Sequence, residues 1–230
     1  MHIPDGFLDP KISSGLLGAA AGAMAYCFAK AAKVVASLVP SRILAAAGNA
    51  LGNVKSAGRL VFTEEGEKLL KKMAEVSAWI FAAQMFNFPV QSGTSGHFLG
   101  GVFAALILGP YAGALSLSLV LVVQALLFAD GGLAALGANI VNMAVIGSFS
   151  GYFVYLGLKK IFSENISIAI AAWTSVMLAA LACSLEIGFS GIIETKAIIR
   201  AMLGVHAIIG LAEAFVTVIL VKLFRGMEKK

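Results

Sequence analysis

Residues 76–129 read VSAWIFAAQMFNFPVQSGTSGHFLGGVFAALILGPYAGALSLSLVLVVQALLFA, a stretch without one Asp, Glu, Lys or Arg. After the lone Asp130, residues 131–158 form a second run with no charge. Both exceed the roughly 20 apolar residues that an α-helix needs to cross a hydrocarbon core. Hydrophobic residues make up 60% of the chain and charged ones 13%, whereas ordinary soluble domains run near 45–50% and about 25%. A soluble core of this size would need more polar surface to cover it. The fold class expected is all-α, a polytopic transmembrane helix bundle.

Working outward, hydropathy and punctuation predict seven spans, at 13–33, 73–90, 97–112, 113–129, 133–158, 166–185 and 201–221. Gly109-Pro110-Tyr111 divides the two short ones with a turn or kink. So little chain remains outside these spans that one membrane domain over 1–230 is expected, with 1–10 as an N-terminal segment and 38–72 as a polar loop or helix. Glu64–Lys68 and Glu67–Lys71 are spaced as i,i+4 pairs on that helix.

The net charge of +5 does not describe a nucleic-acid surface, because the basic residues sit at the ends of apolar runs. Eight lie between the first two spans: Lys30, Lys33, Arg42, Lys55, Arg59, Lys68, Lys71 and Lys72. Lys159 and Lys160 follow the fifth, and Lys222, Arg225, Lys229 and Lys230 close the chain. If these clusters are cytoplasmic, the N-terminus lies outside and the C-terminus inside, with Lys11, Lys196 and Arg200 as outer exceptions. Residues 1–10, the 91–97 turn and the start of the last span then share the outer side. No basic n-region precedes an apolar stretch at the N-terminus, so Met1 is expected to be the mature start. Cys27 and Cys183 lie in apolar segments and read as small buried hydrophobes.

No GxxxxGK[ST] loop and no HExxH occurs, and no Ser/His/Asp or Cys/His constellation stands out. An enzyme is not expected. The strongest local chemistry is at His2. A terminal amine followed directly by His offers three nitrogens in order, the amine, the His2 amide and imidazole Nδ1, which close a five- and then a six-membered chelate ring. Amine and imidazole both lose their protons near neutral pH. A fourth nitrogen would complete a square plane suited to Ni(II) or Cu(II), and His97 is the natural candidate. The plainer readings are a frayed terminus for His2, a helix-capping polar residue for His97, and a histidine satisfied at the end of its span for His206.

At these residues the chain resembles a known family. MHIPDGFL at the start, FNFPVQSGTSGHFLGG at 86–101, ALLFADGGLAALGANIVNMAVIG at 125–147 and HAIIGLAEAFVT at 206–217 are similar, in order, to the CbiM/NikM family. Its members are the substrate-binding membrane (S) components of cobalt and nickel energy-coupling-factor transporters. The resemblance implies metal ligation by Met1 (amine), His2 (amide and imidazole) and His97, and it places Asn139 and Asn142 behind them, where interhelical hydrogen bonding is the alternative. It implies Ni2+ or Co2+ as transported ligand and no cofactor. It also implies ATPase subunits, a membrane coupling (T) subunit and a small accessory membrane subunit as partners, in a bacterial or archaeal cell membrane. Gln91-Ser92 departs from the family's Pro-Gly, and 38–72 is longer than usual. The first helix carries Gly15, Gly18, Ala19, Gly22, Ala23, Ala25 and Ala29, a face for the coupling subunit or for packing within the chain. The competing function is a self-contained metal channel or secondary transporter, which calls for ionisable residues deep in several spans; Glu213 is the main candidate.

The topology is open to cysteine-accessibility labelling in intact cells. An impermeant thiol reagent is expected to reach cysteines placed in 91–97 and not those placed in 38–72; the reverse pattern would invert the scheme.

Overall fold

The computed structural model describes residues 1–36, 64–89 and 95–227. Gln91, Ser92, most of the 38–72 segment and Lys229–Lys230 lie outside the described residues.

Helix α1 (Pro10–Ala36) follows the N-terminal segment. Helix α2 (Glu64–Gln84) joins the predicted polar helix and the second span into one rod. Its first turns carry Glu64, Glu65, Glu67, Lys68, Lys71 and Lys72, and an exposed Lys68–Glu64 ion pair closes at 2.7 Å. Only its second half is apolar, with Val76, Ile80 and Gln84 turned inward. Strands β1 (Asn87–Pro89) and β2 (Ser95–His97) then pair antiparallel, with Asn87 opposite His97.

The predicted break at Gly109-Pro110 is present and separates α3 (Gly101–Leu108) from α4 (Pro110–Leu127). Eight residues span only about 12 Å at 1.5 Å per residue, against a hydrocarbon core near 30 Å. The chain folds back on itself there. A Cβ on Gly113 would lie 2.9 Å from the Ala104 carbonyl carbon, so α3 packs flat against α4.

The fifth predicted span is one rod in three parts. It comprises α5 (Leu136–Asn139), a π-helical stretch over Ile140–Ile146 and α6 (Gly147–Leu158). Two long helices, α7 (Glu164–Phe189) and α8 (Thr195–Met227), complete the bundle as an antiparallel pair. Among the described residues, five helices are long and apolar enough to cross a membrane: Pro10–Ala32, Pro110–Leu127, Leu136–Leu158, Glu164–Phe189 and Thr195–Met227. The other two of the seven predicted spans correspond to α2, whose first turns are charged, and α3, which is too short to cross alone.

The two ends of the bundle differ chemically. At one, Arg225 of α8 bonds Glu164 at the start of α7, and Tyr155 of α6 donates its hydroxyl to the same carboxylate at 3.3 Å. Met1, Cys183 and Glu186 belong to the other end: the Cys183 thiol lies 3.9 Å from the Met1 carbonyl oxygen. About 19 helical residues, close to 28 Å, separate Glu164 from Cys183. Gly15, Gly18, Ala19, Gly22, Ala25 and Ala29 of α1 are exposed, together with Leu17, Tyr26 and Phe28.

Candidate metal centre

The N-terminal segment is folded into the bundle. Met1 and Ile3 are fully buried and His2 is 2% exposed. An extended strand entering apolar surroundings must find partners for its peptide groups, and the 130–139 region supplies them. Asn139 accepts from the Ile3 N–H at 2.8 Å and donates Nδ2–H to the Ile3 carbonyl at 3.2 Å. The Gly132 N–H donates to the same carbonyl at 2.9 Å. Asp5 returns the favour, accepting from the N–H groups of Leu133 (3.3 Å) and Ala134 (2.8 Å). So close is the approach that a Cβ on Gly132 would stand 2.2 Å from Asp5 Oδ1; glycine is required by space.

Three histidines gather at this end, all buried. The His2 and His97 rings lie 4.4 Å apart, tilted by 50°. His2 Nδ1 is 2.8 Å from Asp130 Oδ1, His97 Nδ1 is 2.7 Å from the Phe98 carbonyl and His206 Nδ1 is 2.8 Å from the Met202 carbonyl. Each of these acceptors needs an N–H, so each Nδ1 is the protonated nitrogen. The three Nε2 atoms are the lone-pair nitrogens, and all are buried without a hydrogen-bond partner among the described residues.

Charge at this site is suppressed. Burial, set against weaker attraction from Cys183 and Asp130, lowers the Met1 amine from its ordinary 8.0 to about 5. Burial likewise lowers His2, against the Asp130 hydrogen bond that favours its charged form. Burial, then the charges of the Met1 amine and His2, hold His97 well below 6.5, with a further contribution from His206. Asp130 is held below the usual carboxylate range: burial opposes this, but the His2 hydrogen bond and charge outweigh it. The site is therefore a set of neutral nitrogen donors at neutral pH, next to one carboxylate.

The predicted residues do not all behave alike. Met1, His2 and His97 are brought together, and His206 joins them. Asn139 grips the N-terminal segment, whereas Asn142, three residues on in the π-helical stretch, donates to Glu186 of α7 at 2.6 Å. In this conformation His2 Nδ1 faces Asp130. Among the described residues no group of three or more His, Cys, Asp and Glu side chains is arranged to hold a metal. Sequence reasoning missed Asp130 and Asp5. The signal for Asp130 was available, since it alone interrupts two long uncharged runs.

A family model described as the cobalt uptake substrate-specific transmembrane region, CbiM, matches residues 2–230. The chain belongs to the CbiM family. It is thus a multi-pass membrane protein of a metal-transport family, and this family is not one of enzymes. A protein of Archaeoglobus fulgidus assigned as a fused nickel transport protein, NikMN, is 38% identical over 219 residues, which cover 94% of this chain and 63% of that protein. The cobalt transport protein CbiM of Clostridium cellulovorans is 30% identical over 238 residues, covering 100% of this chain and 81% of its own. A crystal structure of a transition metal transporter superposes with a TM-score of 0.81 at 30% identity, over 100% of this chain and 95% of that one. This CbiM-family chain therefore spans less than two thirds of the fused relative.

Docking of the N-terminal segment is expected to weaken in acid. The docked amine has a pKa of about 5 and the undocked one 8.0, so protonation favours release, and docking is strongest above pH 8 and declines as pH falls toward 5. Hydrogen exchange of residues 2–5, corrected for intrinsic rates, should rise over that interval while exchange in α7 stays constant. Gly132→Val, which drives a side chain into Asp5, should give the same rise already at pH 8.

Proposed function

We propose that this protein captures Ni2+ or Co2+ at the outer face of the cell membrane and delivers it for ATP-driven uptake. In this reading it is the substrate-specific component of an energy-coupling-factor transporter. The observation that carries the reading is the burial of the Met1 amine and His2 against His97. An N-terminus with no ligand to present would have no reason to leave water and lose its charge.

The donor set is the Met1 amine, the His2 amide and imidazole, and His97 Nε2. Four nitrogens in a plane suit nickel well, and burial leaves the amine and imidazoles uncharged. His2 must also take its other neutral tautomer, with the proton on Nε2, before Nδ1 can bind; displacement of the amide proton then releases a proton. Asn139 and Asp5 hold the strand from behind, and Asp130 holds the His2 ring until the metal takes Nδ1. The partners proposed are ATPase subunits, a coupling subunit and a small accessory membrane subunit, with the exposed small-residue face of α1 as the coupling surface.

The decisive experiment alters the amine. One residue added before Met1 turns its amine into a peptide nitrogen and moves the new amine out of register. Metal content by elemental analysis should fall to background while the protein stays monodisperse, since helix packing holds the bundle; a C-terminal tag should leave binding intact. Equal nickel or cobalt in the extended form would sink the chelate. In parallel, His97→Ala should weaken binding far more than His206→Ala in calorimetric titration. Equal losses would bring His206 into direct contact with the metal and break the proposed square plane.

A further inference from the structure

His97 is not held by its own loop alone. Its Nδ1–H donates to the Phe98 carbonyl at 2.7 Å. That carbonyl belongs to the same planar peptide as the Leu99 N–H, and the Leu99 N–H donates to Glu213 Oε2 at 2.9 Å. The other carboxylate oxygen, Oε1, accepts from the Gly100 N–H at 2.8 Å. On the far side of the turn the Leu99 carbonyl accepts from Gln84 Nε2 at 2.9 Å. All these groups are buried: Leu99 is 0%, Gln84 1% and Glu213 3% exposed.

The arrangement is a chain of hydrogen bonds: carboxylate, peptide N–H, the same peptide's carbonyl, imidazole Nδ1–H. The imidazole's other nitrogen, Nε2, is the buried lone pair. In metal sites a carboxylate or carbonyl on the non-ligating nitrogen fixes the tautomer and raises the basicity of the ligand. Here one rigid peptide stands between carboxylate and ring, and hydrogen-bonded chains polarise along their length. Burying a carboxylate among membrane helices is costly, and a helix start needs none, since a Ser or Asp at the cap position serves. That local solution is closed here, because the cap residue Gly100 has φ +75° and a Cβ on it would lie 2.8 Å from Ile80 Cγ1. The start of α3 is capped instead from α8, across more than a hundred residues of chain. Thr217, one turn further on, supplies another hydrogen bond to the carboxylate.

We propose that Glu213, opposed by Gln84, is a positioning residue for metal capture, holding His97 Nε2 on the ion through the Phe98–Leu99 peptide. The assignment rests on the reading of His97 as a metal ligand. It gives a role to the buried acid of the last helix without an ion path through the bundle.

The test uses the full chain with an untagged N-terminus and titrates it with Ni2+. Glu213→Gln keeps the volume but sets an amide NH2 against one of two N–H donors. It should weaken nickel about 10- to 100-fold, the usual effect of disturbing a ligand's supporting group, and should shift the Ni2+ d–d absorption toward that of His97→Ala. In the His97→Ala background the same change should add no further loss. A purely structural role would subtract equally in both backgrounds. Gln84→Met removes the opposing anchor and should weaken binding about tenfold or more; it carries the test if Glu213→Gln does not assemble. If His97→Ala loses nickel while Glu213→Gln and Gln84→Met bind within twofold of the parent, the positioning role is overturned and the ligand set stands. If His97→Ala binds like the parent, the ligand set falls and the positioning role with it.

Discussion

The structure depends on getting a chain terminus and its first peptide groups into a low-dielectric interior. Buried N–H and C=O groups there must be met by protein. Asn139 meets both polar groups of Ile3, Gly132 adds a third bond, and Asp5 repays with two to the facing loop. Once these are made, the amine and His2 have only one place to be. The terminus is then part of the bundle's architecture and no longer a flexible tail.

The same logic explains why the bundle is irregular where it matters. A fully regular span satisfies its own backbone and leaves side chains to face lipid or neighbours. The β hairpin and the start of the π-helical rod occur at the end of the molecule that receives the N-terminus, whereas the short α3 runs from that hairpin toward the other end, where Phe103 packs on Phe224. Irregular backbone survives at such depth only where other protein groups pair with it, and here Glu213, Gln84 and Asn139 do so. π-helical turns recur at functional sites because they re-aim successive side chains. Asn139 is directed to the terminus while Asn142 reaches Glu186 on α7. Two asparagines that look like a pair in sequence thus serve different neighbours.

The electrostatics follow from burial more than from pairing. Removing charge from the Met1 amine, His2 and His97 costs protonation but leaves lone pairs, which is the state a transition-metal ion needs. Asp130 supplies the compensating negative charge at the edge of the site, where it remains half-buried and ionised.

Much of this was legible in the residues. Uncharged runs longer than a bilayer and basic clusters at their ends point to a helical membrane protein, since a spanning helix needs a continuous apolar stretch of roughly 20 residues whereas a barrel strand needs about ten. The Met-His start is where the proposed chelate is read, and His97 is one of only three histidines in the chain. Gly109-Pro110 marks a real break. What one dimension does not carry is the distance between residues far apart in sequence. Nothing in the sequence brings Asp130 to His2 across 128 positions, or Glu213 to Leu99 across 114. The apolar stretch 97–112 also reads as a span by composition, although its helix is only eight residues long, because hydropathy counts side chains and does not see where the backbone turns back. His206 reads as a satisfied end-of-span residue; its Nδ1 does bond the Met202 carbonyl, but its buried Nε2 has no hydrogen-bond partner among the described residues. The residues determined the solvent and the candidate donors; the packing of helices α4 to α8 decided which polar groups hold those residues, since a hydrogen bond depends on a few tenths of an ångström that only the folded bundle defines.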